Sequence, residues 1–440
     1  MMRQLLLAAV ALCLGACAAI APPASASAAN AQQASEEASP LDSRVSGLVA
    51  LLAGEAKPED YFADSFLAAV PPAQFSQISD SLIAQYGKPV SAAITKRLSA
   101  NSAEVAVTFE KAVANVKIVI EAAAPHKVSG LLITNVEVTG DNADKIDADF
   151  KALPGKAGYI VAKLGDGAAT QIVAGANVGE QFAIGSTFKL YILAQLASEI
   201  DAGKRNWSDV APLAHRSFSS SGTRRWPTDA PMTLQSLASM MISLSDNSAT
   251  DTLLHLLGRE QVEAKLAAIG HSAPDRTLPF LSTVEAFAIK SSDDLHTKFS
   301  GASEAQQRKI LKNSADKLGF DNVDNSAFAA GPRFIDTIEW FASPADLVGL
   351  LNHLRNTRNG KMMEIMAINT GIGEADAKKW KYLGYKGGSE PGVISMSYLA
   401  QSKAGTWYAI SASWNNPEKE VSTIKMVELM TRLLNSAADK

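Results

Sequence analysis

The sequence predicts an α+β protein with a small unit ahead of a larger one, and three observations carry that expectation. Its 440 residues exceed one ordinary domain. Between residues 43 and 139 the apolar spacing changes from three-and-four to two, placing helices first and a sheet after them. Beyond residue 140, strand patterns stand at both ends and helical patterns fill the middle, so distant segments must share one sheet.

Residues 1–28 read as a signal peptide. Arg3 precedes an apolar run from Leu5 to Leu14, and small residues follow from Gly15, the three-part pattern of secretion. The run is too short for a spanning helix. Leu14-Gly15-Ala16-Cys17 resembles the bacterial lipobox, in which the cysteine is lipidated and becomes the mature N-terminus; cleavage near residues 24–26 or 26–28 is the soluble alternative. Both routes imply export to a bacterial periplasm, and lipidation at Cys17 would add attachment to the envelope membrane. The chain's two cysteines, Cys13 and Cys17, lie in this segment, so the body carries no disulfide and no thiol chemistry. Residues 29–42, rich in Ala, Ser and Gln without periodicity, read as a flexible tether.

In the small unit, residues 43–139, helical patterns cover 43–53, 60–69 and 72–86, where Phe75, Ile78, Leu82 and Ile83 share a face. Alternating segments at 90–96, 103–109, 113–121 and 127–138 read as successive antiparallel strands. The outline resembles the cone-shaped modules of the nuclear transport factor 2-like family, a likeness of shape without a motif. The polar cluster 139–142 marks the boundary. The large unit, 140–440, opens with a helix over 143–153 and a strand pair, 158–163 and 170–176, around Gly165-Asp166-Gly167. A long helix starts at Ser186, further helices cover 232–242, 249–257 and 261–268, and strands 392–399 and 407–413 precede a last helix over 421–434.

Composition narrows the function. Hydrophobic residues are 47% and charged residues 20%, which excludes a disordered or fibrous chain. Lys plus Arg number 41 against 45 Asp plus Glu, a net charge of −4 with no block of like charge. Phosphate-backbone binding rests on a clustered basic surface, so nucleic acid is not an expected partner. The six histidines show no metal-ligand spacing and no Gly-x-Ser-x-Gly elbow occurs, so no metal, no cofactor and no Ser-His-Asp mechanism is expected. Arg224-Arg225-Trp226 could meet an anionic substrate, or be a solvated pair beside a packed Trp.

Three short motifs carry the chemistry. With 43 Ser and 27 Lys, chance alone yields about two or three Ser-x-x-Lys matches, and the chain has three. Ser186-Thr187-Phe188-Lys189 stands apart because it follows a hairpin and Gly185 and opens a long helix. There residues i and i+3 share a face, and a lysine with a lowered pKa can activate a serine. Ser245-Asp246-Asn247 falls in a turn between two helices, where Asn247 or Ser248 could equally cap the next helix. Lys386-Gly387-Gly388-Ser389 begins a terminal strand or forms a Gly-rich hairpin.

Taken in order, the three motifs resemble those of class A β-lactamases and penicillin-binding proteins. The resemblance implies an antiparallel sheet with a helical subdomain in an αβα arrangement over residues 140–440. It implies that Ser186 is the acylated nucleophile, Lys189 its general base, and Ser245 the proton donor to the leaving group. Asn247 would hold the substrate amide, Lys386 would supply positive charge near Ser245 and the substrate carboxylate, and Gly387, Gly388 and Ser389 would line the substrate. The N–H groups of Ser186 and Ser389 would form the oxyanion hole. Two departures stand out. Gly387 replaces the family Thr and removes a hydroxyl that helps bind a carboxylate, and no Glu-x-x-Leu-Asn segment follows Asn247 to activate a deacylating water. Glu285 and Glu339 are candidates by region only. An inserted helical region near 293–328 lengthens the stretch between the second and third motifs.

The expectation is therefore an exported serine hydrolase forming a long-lived acyl-enzyme with β-lactams or related esters and amides. Work on peptidoglycan as a D-Ala-D-Ala carboxypeptidase or endopeptidase is the enzymatic alternative, and a non-turnover β-lactam or peptidoglycan sensor is the other. Oligomeric state is left open.

Overall fold

The computed structural model describes residues 39–438 apart from 168 and 358. The signal segment, Cys17 and the tether up to residue 38 lie outside the described residues. Helix α1 (Pro40–Leu52) takes up the last tether residues, because the Ser39 side chain accepts from Asp42 N and a proline stands in the first turn. It buries Leu41, Val45, Leu48, Leu51 and Leu52. Two short helices, α2 (Pro58–Tyr61) and α3 (Asp64–Ala69), and α4 (Pro72–Tyr86) follow.

Strands β1 (Pro89–Ser99), β2 (Ser102–Phe109), β3 (Ala112–Ile120) and β4 (Val128–Val138) form an antiparallel meander in chain order. Alternation decides which face is buried: Ala103, Val105, Val107 and Phe109 of β2 lie beside Ala112, Ala114, Val116 and Ile118 of β3 in one core with α1.

The linker delivers the chain to α5 (Ala143–Lys151), where Asn142 caps Lys145 N. Strands β5 (Lys156–Leu164) and β6 (Thr170–Ala176) then join a five-stranded antiparallel sheet whose other members arrive at the far end of the chain. Strand β7 (Phe182–Ala183) leads into α6 (Lys189–Asp201). Strands β8 (Val210–Pro212) and β9 (Pro231–Thr233) pair ahead of α7 (Leu234–Ser243), α8 (Asn247–Leu257) and α9 (Arg259–Ile269). Next come α10 (Thr283–Ser291), α11 (Asp293–Ser300) and α12 (Glu304–Asn313), and the expected insertion is filled by the last two and three 3-10 turns ending at Phe328. Strand β10 (Phe341–Ala342) pairs with β7 before α13 (Pro344–Thr357), α14 (Gly360–Met366) and α15 (Glu374–Ala377). Strands β11 (Trp380–Glu390), β12 (Val393–Ser402) and β13 (Trp407–Asn415) and helix α16 (Thr423–Ala438) complete the fold.

The sheet order is β11-β12-β13-β5-β6, so β11 is an edge strand and β13 joins the two ends of the unit. One face carries α5 and α16 through Ile146, Phe150, Leu429 and Leu433; the other carries the helical core around Leu190, Leu193 and Leu351. Arg432 of α16 holds the linker: its guanidinium donates to both carboxylate oxygens of Asp141 at 2.8 Å, to Asp149 at 2.6 Å and to Glu428 at 3.0 Å.

One expectation needs correction. Lys386 does not begin its strand, because β11 already starts at Trp380. Gly387 and Gly388 read as turn signals, yet both lie inside the strand where neighbouring atoms leave no room for a Cβ.

Candidate active site

Ser186 lies on a 3-10 turn, Gly185–Phe188, that passes into α6 at Lys189, where the sequence suggested one regular helix from Ser186. Gly185 takes φ +47, a left-handed backbone that glycine adopts freely. Strand β11 crosses this turn in close contact. A Cβ on Gly388 would fall inside contact distance of Ile184 O and Ser186 N and 2.7 Å from the Gly185 carbonyl carbon, while one on Gly185 would stand 3.1 Å from Ser389 N. These glycines let β11 pass so close to the turn that Ser186 N and Ser389 N lie near one another. Behind the turn, Ile184 N donates to Trp340 O and the Phe188 ring stacks on Trp340 at 3.7 Å.

Lys189 is 0% exposed, and its amine donates to Ser245 O at 2.8 Å, Ser245 Oγ at 3.1 Å and Asn247 Oδ1 at 2.6 Å. The i, i+3 spacing predicts an amine beside the Ser186 hydroxyl, but the three hydrogen bonds of this amine go to Ser245 and Asn247 and none to Ser186 Oγ; an ammonium has three donors and no lone pair, and these acceptors satisfy it. Burial lowers the Lys189 pKa to about 7, although the Asp251 and Asp246 carboxylates pull it upward. Once neutral, the amine gains a lone pair for a hydroxyl proton. Lys386, 2% exposed, donates to Ser245 Oγ at 3.1 Å and to Gly387 O. Burial, and then the Lys189 charge, hold its pKa well below the ordinary amine value. The Ser245 hydroxyl thus bridges two amines whose positive charges oppose one another.

Ser245 sits at φ +55, a costly backbone for a residue with a side chain. Asp246 holds it there. Its carboxylate accepts from Gly222 N at 3.0 Å, Thr223 N at 2.9 Å, Thr223 Oγ1 at 2.7 Å and Ala249 N at 2.9 Å, so Asp246 is the cap of α8 where the sequence suggested Asn247 or Ser248. Asn247 is thereby free to face Lys189, and its Nδ2 donates to Phe218 O at 2.7 Å. Phe218 packs against Phe287 of α10 and Phe328 of the insertion, which ties the inserted region to the loop that orients Asn247.

The model of the beta-lactamase enzyme family matches residues 141–371, just over half of the chain, including Ser186, Lys189, Ser245 and Asn247. The chain belongs to that family. It is accordingly a serine β-lactamase-like hydrolase, with the mixed helical and antiparallel-sheet fold of the family. Similar solved structures include a β-lactamase from Sphaerobacter thermophilus at 18% identity, covering 67% of this chain and 96% of that one with a TM-score of 0.45. A mutant of PBP-A, solved as its acyl-enzyme with penicillin G, is 13% identical, covering 68% and 96% at 0.45. A β-lactamase from Chitinophaga pinensis is 15% identical, covering 68% and 98% at 0.43. Among curated proteins no relative matches the sequence.

In this β-lactamase-family chain, neither regional candidate for a deacylating carboxylate is free. Glu285 is held by Arg259 at 2.7 and 2.9 Å and closes the capping box of α10 with Ser282. Glu339 is buried against Lys290 Nζ at 2.7 Å, and the same amine bonds Glu390 at the end of β11. Burial and the Glu339 charge push the Glu390 pKa well up. This Lys290-Glu339-Glu390 cluster was not found from sequence, since residues 49 and 51 positions apart give no spacing to read. Asp251 was also missed: fully buried, it accepts from Thr283 N at 2.7 Å and Val284 N at 3.0 Å and places a carboxylate near Lys189. Arg224 and Arg225 are exposed, and Trp226 is 41% exposed where a packed ring was expected. Among the described residues no group of three or more His, Cys, Asp or Glu could hold a metal ion.

Proposed function

We propose that this hydrolase forms an acyl-enzyme at Ser186 and cleaves β-lactams or related esters and amides, with slow deacylation. The observation that carries the reading is the line Lys189–Ser245–Lys386, in which one hydroxyl lies 3.1 Å from two buried amines beside the nucleophile turn. An anionic substrate approaching Lys386 favours the ammonium there. That charge disfavours a second ammonium at Lys189, and a neutral Lys189 takes the Ser186 proton as Oγ attacks the acyl carbon. The Ser186 and Ser389 N–H groups receive the oxyanion. Ser245 Oγ then gives its proton to the leaving nitrogen and is reprotonated from the amines it bridges. Asn247, anchored by Lys189 and Phe218 O, is available to the substrate amide.

Slow deacylation is supported by Glu285 and Glu339 being bound to cationic partners. Export is supported by the pattern of residues 1–28 alone, with lipidation at Cys17 as its membrane-attached form, and the nuclear transport factor 2-like reading of residues 43–139 rests on their helix-then-meander order. The test is intact-protein mass spectrometry during incubation with benzylpenicillin, a cephalosporin and a simple thioester. A Ser186 adduct that persists for many minutes is expected, and Ser186→Ala should abolish it; an adduct that survives this change refutes the assignment.

A further inference from the structure

The space that a threonine side chain would fill at position 387 is occupied. A Cβ built on Gly387 falls on Tyr385 Oη and stands 2.8 Å from Tyr385 Cζ. The two residues share a face of β11, and the tyrosine leans along the strand so that its hydroxyl lies over the glycine. The ring is fixed in that position. It stacks on Tyr398 of β12 with centroids 4.7 Å apart, and Gly371, at φ +64, lies against its other side, where a Cβ would come within 2.5 Å of Cε1 and Cζ. Burial pushes the phenol pKa up, so the group remains a protonated donor across the neutral range. No described residue takes its hydrogen bond. Strand β11 is the edge of its sheet, and Lys386 and Gly388, which flank Gly387, face Ser245 and Ser186.

We propose that Tyr385 supplies the hydroxyl that Gly387 lacks and donates a hydrogen bond to a substrate carboxylate borne on the carbon attached to the leaving nitrogen. This inference rests on the acyl-transfer reading of Ser186. It makes Gly387 and Tyr385 a matched pair: the glycine exists to admit the phenol, and the chain keeps its preference for anionic substrates by a different side chain. A β-lactam acid and a C-terminal amino acid present the same carboxylate chemistry.

The test compares benzylpenicillin with its methyl ester, following the Ser186 adduct by rapid-quench mass spectrometry in the native chain, Tyr385→Phe, and Tyr385→Ala combined with Gly387→Thr. The readout is the ratio of second-order acylation rates, acid over ester. Tyr385→Phe keeps the ring packing and should lower that ratio about tenfold, the usual worth of a hydrogen bond to a charged group. The double variant should restore it to within about threefold of native. A ratio unchanged in Tyr385→Phe, or equal losses with acid and ester, overturns the assignment of Tyr385. No adduct in the native chain with either compound overturns the acyl-transfer reading, and the proposal with it.

Discussion

Replacing Gly388 by alanine places a methyl group against three backbone positions of the nucleophile turn, Ile184 O, Ser186 N and the Gly185 carbonyl carbon, the last at 2.7 Å. None is the end of a flexible side chain, so the strands must separate. Ordinary carbon-carbon contact begins near 3.5 Å, and restoring it moves β11 away from the turn by about 1 Å. That displacement separates the Ser186 and Ser389 N–H groups, and a 1 Å misplacement of a positioned group costs about 100-fold in rate. Losing one oxyanion donor costs about 100- to 1,000-fold. Gly388→Ala should therefore slow Ser186 acylation by about 100-fold or more, and overpacking should lower stability by about 1–3 kcal/mol. The assay is the time course of adduct mass with benzylpenicillin, alongside a urea melt. Gly360→Ala, where the new Cβ meets nothing within 4 Å, is the control. Acylation by Gly388→Ala within about threefold of native would refute the oxyanion-hole geometry derived from this crossing.

Acylation should rise as pH climbs through about 7 and level off above, because below that value Lys189 holds its proton and has no lone pair to act as base; rates measured from pH 5.5 to 9 that are flat or falling contradict this. Asp246→Ala removes the acceptor for Gly222 N, Thr223 N, Thr223 Oγ1 and Ala249 N, and should cost about 2–4 kcal/mol in a urea melt while slowing acylation through a loosened Ser245. A loss below about 0.5 kcal/mol means that another group holds the φ +55 turn. Lys290→Met leaves the Glu339 and Glu390 carboxylates facing one another without their cation, at a cost of about 3–5 kcal/mol at pH 7. That penalty should shrink as pH falls, since burial and the neighbouring charge already favour the protonated Glu390 carboxyl and its protonation removes the repulsion; a penalty that grows on acidification contradicts the arrangement.

Much of the molecule was legible in its residues because the local signals agree with the final contacts. The β2 and β3 strands alternate strictly and bury one face, so period two finds them to within a residue or so. Ser186, Ser245 and Lys386 were identifiable only as a set, since each motif alone occurs by chance or has a capping or turn explanation. Strand β11 was cut short because its glycines look like turns in one dimension and serve close approach in three. Asp246 rather than Asn247 caps α8, a choice decided by the 217–223 loop folding back over the helix end. Tyr385, Asp251 and the Lys290 cluster left no trace, because their meaning depends on partners brought together by the sheet and the insertion.

The sheet order has a consequence for how the chain reaches its final form. Strand β5 pairs Ala157 with Trp414 of β13, so the early hairpin waits for a partner that emerges from the ribosome some 250 residues later. Arg432, which secures the linker between the units, comes later still. The small unit, whose strands pair only with neighbours in sequence, can close as soon as it is synthesised, whereas the large unit stays open until almost the whole polypeptide exists. Until β13 exists the sheet lacks the strand that joins its two ends, so the delay acts as a built-in timer: the hydrolase cannot lock into shape before its last strands have been made.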